Sequence, residues 1–142
     1  MVVRTAKNII KIEDIEKYTK GMASISERVK MCRKIKGLSQ IQLAEISGLD
    51  KSTINQIEVN NNHNIKLETL KKLMKVLDNE ILLDDYCKFI LNQKEIIQEL
   101  IDKFGKEYLC NTLGVHRSTL ERWRDEKYQI KREVFHQIKR IT

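Results

Sequence analysis

Four segments near the start of the chain have apolar residues three or four positions apart, which is the spacing of one face of an α-helix. These segments are residues 24–36, 39–47, 50–59 and 66–78. Gly37 and Gly48 stand between the first three segments. Glycine supplies the left-handed backbone that a tight turn between helices needs. The pattern therefore predicts four short helices joined by short connections.

The individual faces and caps follow from the same spacing. In the second segment, Leu43, Ala44 and Ile46 are predicted to form the apolar face, and Ser39 with Gln42 matches the S-x-x-Q form of a capping box. In the third segment, Ile54 and Ile57 are predicted to point inward, after an N-cap at Asp50 or Ser52. Residues 59–64 are polar and predict a loop.

Residues 40–59 resemble the helix-turn-helix of the phage-repressor family, which is also called the Cro-like or XRE family. The matching positions are the opening glutamine, a small residue where two helices cross, the turn glycine, two buried positions and a terminal acid: Gln40, Ala44, Gly48, Ile54, Ile57 and Glu58. The resemblance covers about residues 25–80. It implies a small helical domain that places the second helix of the motif in the major groove of DNA.

The same pattern recurs when the chain is shifted so that Gly48 falls on Gly114. Leu43 then falls on Leu109, and Ile57 falls on Trp123, which is predicted to be a core residue. Residues 106–125 therefore predict a second helix-turn-helix, between helices at 96–105 and 134–141. Lys106 replaces the opening glutamine, so a resolvase-like or homeodomain-like variant fits equally well. A helical hairpin used only for packing or dimerisation is the remaining alternative.

The predicted fold class is all-α, with two small helical domains joined by a helical linker. Residues 79–93 are rich in acidic and apolar side chains, and an acidic helix is poorly placed against DNA. This linker helix either packs the two halves together or forms a dimer interface. The N-terminal segment predicts a short strand and a helix, or one amphipathic helix. The predicted divisions are 1–23, the Cro-like domain 24–78, the linker 79–93 and the second domain 94–142.

Composition and charge narrow the classes of function. The chain has 27 basic and 20 acidic residues among 142, a net charge of +7, so a polyanion is a favoured partner. The three cysteines are far apart, which favours a reduced intracellular setting over disulfides or a zinc site. No apolar run reaches membrane-span length, the N-terminus lacks the apolar core of a signal peptide, and no catalytic motif is present. The sequence predicts no enzyme, cofactor or metal.

Helical spacing selects the side chains that would meet DNA. With Ile54 and Ile57 inward, the outward residues of the first motif are Lys51, Ser52, Asn55 and Gln56, and Gln40 is expected to bind phosphate. By the same logic, the second motif presents Arg117, Ser118, Glu121, Arg122 and Arg124. Glu121 either accepts a hydrogen bond from cytosine or holds Arg117 or Arg124 in place. His116 is expected to be a surface residue.

The resemblance and the charge together imply sequence-specific binding to double-stranded DNA. The predicted protein is a cytoplasmic transcriptional regulator of a bacterium, phage or plasmid, acting as a repressor with two recognition helices. A homodimer is an option that the sequence leaves open. The alternative function is a helix-turn-helix protein whose C-terminal half binds a protein partner, as antitoxins and anti-defence proteins do.

Overall fold

The computed structural model describes residues 2–4, 9–11, 23–61 and 63–141. The chain divides into two compact units, Met1–Asp85 and Tyr86–Thr142. The described part of each unit is built from short helices, so the all-α fold class is confirmed. The only addition is a pair of three-residue strands near the N-terminus of the described chain, before the first helix.

The N-terminal strands are β1 (Val2–Arg4) and β2 (Ile9–Lys11). They pair antiparallel, with Val3 opposite Ile10. A short strand was one of the two alternatives that the sequence predicts here. The helix predicted to follow it falls on residues 12–22, which lie outside the described residues.

The described part of the first unit contains the four predicted helices and one more. They are α1 (Ile25–Ile35), α2 (Gln40–Ser47), α3 (Lys51–Val59), α4 (Leu67–Met74) and α5 (Asn79–Leu82). Helix α3 packs against both α1 and α2. Fully buried apolar side chains of this unit include Ile25, Val29, Leu43, Ile54, Ile57, Leu70 and Leu73, and the sequence analysis predicts Leu43, Ile54 and Ile57 among them.

The start of α2 forms as predicted, and its apolar face differs at one position. Ser39 and Gln42 form the capping box. Leu43 and Ala44 are buried, but Ile46 is 55% exposed, so its assignment to the apolar face is wrong. At 3.6 residues per turn, Ile46 lies about 200° around the helix from Ala44. An eight-residue helix that buries Leu43 and Ala44 against α3 therefore turns Ile46 toward solvent.

The structure has two short helices where the sequence predicts one linker helix over 79–93. Helix α5 ends at Leu82, and α6 (Asp85–Leu91) follows after a break. The fully buried guanidinium of Arg28 donates to the carbonyl oxygens of Ile81 at 2.8 Å and Leu83 at 3.2 Å. Because these carbonyls accept from a side chain of α1, the segment is fixed to the first unit and its helix stops there.

The second unit contains α6, α7 (Gln93–Phe104), α8 (Lys106–Leu113), α9 (Arg117–Arg124) and α10 (Arg132–Ile141). Helix α9 packs against α7 and α8, while α10 contacts α8. Trp123 is buried, as predicted from its alignment with Ile57. Phe135 of α10 lies against the rings of Tyr86 and Phe89, with centroid distances of 5.6 and 5.0 Å.

The loop that follows α9 is held from inside the second unit by one amide side chain. Gln93 is buried, and its Nε2 donates to the carbonyl oxygens of Trp123 at 2.9 Å and Tyr128 at 2.8 Å. Its Oε1 accepts from the backbone N–H of Ile130 at 2.9 Å. The hydroxyl of Tyr86 donates to the Ile130 carbonyl at 2.6 Å. Residues 125–131 therefore have a defined path although they form no helix.

The two units repeat the same local geometry around one turn. Helices α2 and α8 have eight residues each, and each ends at a glycine with left-handed backbone, Gly48 (φ 76°) and Gly114 (φ 67°). In each unit the following helix begins three positions after that glycine. The starts differ, since Ser39 caps α2 with its side chain, whereas Gly105 before α8 has φ 84° and ψ 153°.

Candidate nucleic-acid interface

The outward face of α3 is polar and open to solvent. Ile54 and Ile57 are fully buried, which turns the remaining side chains of the helix away from the core. Lys51, Ser52, Asn55 and Gln56 are exposed, and Gln40 is half-buried. Gln40, Lys51, Ser52 and Asn55 together line one shallow surface depression between the starts of α2 and α3. The structure thus brings four of the five predicted residues of this unit together, with Gln56 exposed beside them on the same helix.

The start of α3 leaves its first amides unbound by a side-chain cap. Asp50 stands at the N-cap in extended conformation but makes no capping hydrogen bond. The N–H groups of a first helical turn have no partner inside the helix, and they attract anions. This end of α3 lies at the same depression as Lys51, so its dipole and the lysine charge both favour a phosphate there.

A buried ion pair fixes α3 on α1. The carboxylate of Glu58 is 1% exposed and accepts from Arg33 at both oxygens, Nε to Oε2 at 2.9 Å and Nη2 to Oε1 at 2.8 Å. Arg33 also donates to the carbonyl of Leu38 at 2.9 Å. The acid at the end of the motif is therefore buried against α1 and holds the helix in position.

The outward face of α9 is charged, and its carboxylate is held by two cations. Lys106 Nζ lies 3.1 Å from Glu121 Oε1, and Arg117 Nε lies 3.5 Å from the same oxygen. The hydrogen bond from Lys106 is the main cause that lowers the pKa of Glu121 below its ordinary value. Of the two roles that the sequence leaves open for Glu121, the structure has the contact with Arg117. Arg124 instead pairs with Asp125 at 3.2 Å.

A histidine caps the N-terminus of α9. His116 is exposed, and its Nδ1 accepts from the backbone N–H of Ser118 at 3.2 Å and lies 2.8 Å from Ser118 Oγ. Ser118 is half-buried, so of the predicted outward residues it is less open than Arg117. His116, Lys106 and Arg117 line a depression at the start of α8 and α9, which corresponds to the one at α2 and α3.

The two remaining arginines of α9 differ in their surroundings. Arg122 is exposed, and its guanidinium carbon lies 5.8 Å from the centre of the Tyr128 ring. Arg124 is half-buried, and its hydrogen bond to Asp125 lowers the pKa of that carboxyl. Arg117 and Arg122 are therefore the more exposed arginines of this helix, although Arg117 also pairs with Glu121.

Two residues of this surface were missed by the sequence analysis as site residues. Lys106 had a signal, because it stands where the first motif has Gln40. Tyr128 had none, since its contact with Arg122 depends on the path of the loop that Gln93 holds. Neither contact belongs to a helical period.

The described residues offer little to other chemistries. No three His, Cys, Asp or Glu side chains in this part of the chain could jointly hold a metal ion. Cys32, Cys87 and Cys110 are free thiols, and burial raises the pKa of Cys32 to about 12, so this thiol stays protonated and unreactive at neutral pH. Within the same residues, no helix is long and apolar enough to cross a membrane.

Comparison with known families assigns the first unit. Residues 29–82 match the family model described as Helix-turn-helix. The matched segment runs from the middle of α1 to the end of α5, and the second unit lies outside it. No curated protein and no solved structure gives a significant match to the chain.

The segment 29–82 is thus a helix-turn-helix domain of the XRE, or Cro-like, family, as its sequence predicts. This match supports a DNA-binding domain of the transcriptional-regulator kind in the first unit. In such domains the second helix of the motif enters the major groove, and α3 is the second helix of the motif in this chain.

Proposed function

We propose that this protein is a transcriptional repressor that recognises DNA with two different helices, α3 and α9. The observation that supports this best is the repeated geometry of the two units. Both helices begin three positions after a left-handed glycine, and both turn exposed polar or charged side chains away from a buried core. Occupancy of an operator is sufficient to block a polymerase, so repression needs no further chemistry.

In the first unit, Gln56 would pair with an adenine edge, while Lys51 and Gln40 would contact backbone phosphate. Glutamine has a donor and an acceptor that match adenine in the major groove, and lysine is a compact cation that suits phosphate. Ser52 and Asn55 would add contacts from the same open depression.

In the second unit, Arg117 and Arg122 would supply guanine or phosphate contacts, with Ser118 beside them. The planar guanidinium forms two parallel hydrogen bonds to a guanine edge. Arg124 would act at the margin of this surface, because its charge already pairs with Asp125.

Two different helices on one chain would select an asymmetric site. A single helix recognises only a few base pairs, so specific binding to a genome needs at least two. One chain would bind two unlike half-sites, and a homodimer would bind four. A regulator of this kind works where the DNA is, and we place the protein in the cytoplasm of a bacterial host, encoded by the host, a phage or a plasmid.

The test is selection of duplexes from a randomised library by the full chain, followed by fluorescence anisotropy on the selected duplex over a salt series. Gln56→Ala and Arg122→Ala should each relax base preference in a different half of the site, by about 1–3 kcal/mol per contact. Lys88→Ala is the control, because this exposed residue of α6 lies outside both faces. Equal binding to all duplexes, weakening steeply with salt, would contradict sequence-specific regulation.

A second function has an observation in its favour, namely exposed aromatic rings on the second unit. Tyr108 and Tyr128 are 48% and 59% exposed, and Tyr108 stacks on Phe104 at 5.3 Å. Such rings are enriched where proteins bind one another. In this alternative the second unit binds a protein partner while the first binds DNA. It is favoured if Arg122→Ala leaves the selected site unchanged while Gln56→Ala alters it.

A further inference from the structure

The Glu121 carboxylate poses an electrostatic question for a DNA-binding face. It lies on the outward side of α9, one helical turn after Arg117, with its side chain 39% exposed. An unpaired carboxylate would be repelled by phosphates, so at this position it would weaken the binding of the helix to DNA. The corresponding position in the first unit is Asn55, which is neutral and exposed.

The contacts of Glu121 answer this question. Both cations approach the same oxygen, Lys106 Nζ at 3.1 Å and Arg117 Nε at 3.5 Å from Oε1. Within the described residues, the hydrogen bond from Lys106 goes to Oε1, and Oε2 accepts none. The charge of the carboxylate is thus compensated from one side, and one oxygen remains as an acceptor. Since an ionised carboxylate can only accept hydrogen bonds, its partner on a base edge must be a donor.

In the major groove, cytosine offers the N4 amino group as a donor, whereas guanine offers only acceptors at its N7 and O6. Adenine also has a donor, its N6 amino group. Its neighbouring N7 is an acceptor, however, and would be repelled by the remaining lone pairs of the carboxylate. We infer that Glu121 selects a C·G base pair through Oε2, and that Lys106 is the positioning residue that holds Glu121 and compensates its charge. This inference rests on the proposed role of α9 as a recognition helix.

The first unit shows why the lysine matters. The position of Lys106 is taken there by Gln40 and that of Glu121 by Asn55, so the pair is charged in one unit and neutral in the other. The side chain of Lys106 is 25% exposed, and Arg117 is 68% exposed. Lys106 is therefore the more confined of the two cations, while Arg117 is freer to leave the carboxylate for phosphate or guanine.

The experiment repeats the selection from a randomised duplex library with the full chain and five variants, one of which is Arg122→Ala. Glu121→Gln should move the preference at one position of the second half-site from cytosine to adenine, because an amide pairs with adenine N6 and N7. Lys106→Gln should reduce the cytosine preference about tenfold, and Lys106→Arg should retain it, as a cation is restored. The first half-site should stay the same in all of them.

Glu107→Gln is the matched control. It removes the same charge from the residue next to Lys106, outside the ion pair, so it should raise overall affinity without changing any base preference. If Glu121→Gln behaves like this control while Arg122→Ala still alters the second half-site, the selection of cytosine is overturned and the two-helix function stands. If neither Glu121→Gln nor Arg122→Ala changes the consensus, α9 does not recognise bases, and the proposed function falls together with this inference.

Discussion

Each of the two units begins a helix three positions after a glycine turn. The units differ in the contacts that fix this helix and in the side chains on its outer face. In the first unit, a buried ion pair between Arg33 and Glu58 fixes the helix, and its outer face is polar with a single lysine. In the second unit, Trp123 and the Gln93 amide fix the helix, and the ion pairs lie on its outer face. The backbone arrangement is thus independent of where the charges are placed.

The buried ion pair of the first unit and the surface ion pairs of the second differ in how much they contribute to the free energy of folding. A carboxylate that is 1% exposed loses its hydration. Without its ion-pair partner, this buried charge would destabilise the folded first unit. An ion pair at a surface loses little hydration and contributes little to folding, but it remains available to a ligand. The first unit therefore buries its ion pair in the core, and the second keeps its ion pairs at the surface.

The largest expected effect on the free energy of unfolding comes from substitution of the two matched core residues. Trp123→Ala should lower the free energy of unfolding by about 4 kcal/mol and Ile57→Ala by about 3 kcal/mol, because the larger ring leaves the larger cavity. Circular dichroism during urea denaturation of the full chain measures both. Ile46→Ala, at an exposed position, should change it by less than about 0.5 kcal/mol. A loss below about 1 kcal/mol for Trp123→Ala would show that the second unit lacks a packed core of this kind.

The second effect separates the buried pair from the surface pair. Glu58→Gln should lower the free energy of unfolding by about 3 kcal/mol, because Arg33 is left without its carboxylate. Glu121→Gln should lower it far less, because this pair lies at the surface, and the loss should shrink further at high salt. Thermal denaturation at low and high salt distinguishes them. Equal losses for the two variants would contradict the contrast between the units.

The third effect concerns the starts of α2 and α8. Gly105→Ser would give the second unit the residue that caps the first, yet it should lower the free energy of unfolding by about 2 kcal/mol, because φ 84° with ψ 153° suits only glycine. No neighbouring atom crowds this position, so Gly105→Ala should cost about the same. Ser39→Ala loses only the cap, about 1 kcal/mol. A stabilising Gly105→Ser would mean that the start of α8 rearranges into a capping box.

The smallest effect is at the ring beneath Arg122. Tyr128→Ala should weaken binding to the selected duplex by about 0.5–1 kcal/mol, since the exposed guanidinium loses its contact with the ring. Tyr128→Phe keeps the ring and should bind normally in the same anisotropy assay. If Phe is as harmful as Ala, the hydroxyl and not the ring is the group that matters.

How far the sequence predicts this molecule depends on the range of each interaction. The helices around Gly48 and Gly114 follow from local spacing, as do the buried positions of Leu43, Ile54 and Trp123. The break before α6 does not, because it depends on a bond from Arg28 to carbonyls more than fifty positions later. Side-chain bonds to distant backbone leave no periodic pattern in the sequence. No pattern within residues 79–93 therefore indicates that the predicted linker helix is interrupted.

The candidate site shows the same division. The outward positions of α3 and α9 follow from helical spacing once the core residues are known, and the structure exposes Lys51, Gln56, Arg117 and Arg122. The partners of those side chains do not follow from it. Lys106 reaches Glu121 from the preceding helix, and Tyr128 reaches Arg122 from a loop. Both contacts require the three-dimensional path of the chain.

The Gln93 amide gives one loop an unusual kinetic property. The Ile130 N–H lies outside every helix, but it donates to a buried side-chain oxygen at 2.9 Å. Loop amides ordinarily exchange their hydrogen with solvent during small local openings. The Ile130 amide is expected to exchange when the hydrogen bonds of the Gln93 side chain break. The same event releases the last turn of α9 and the Tyr128 carbonyl. Its exchange rate in heavy water therefore reports the joint release of this loop and of the last turn of α9.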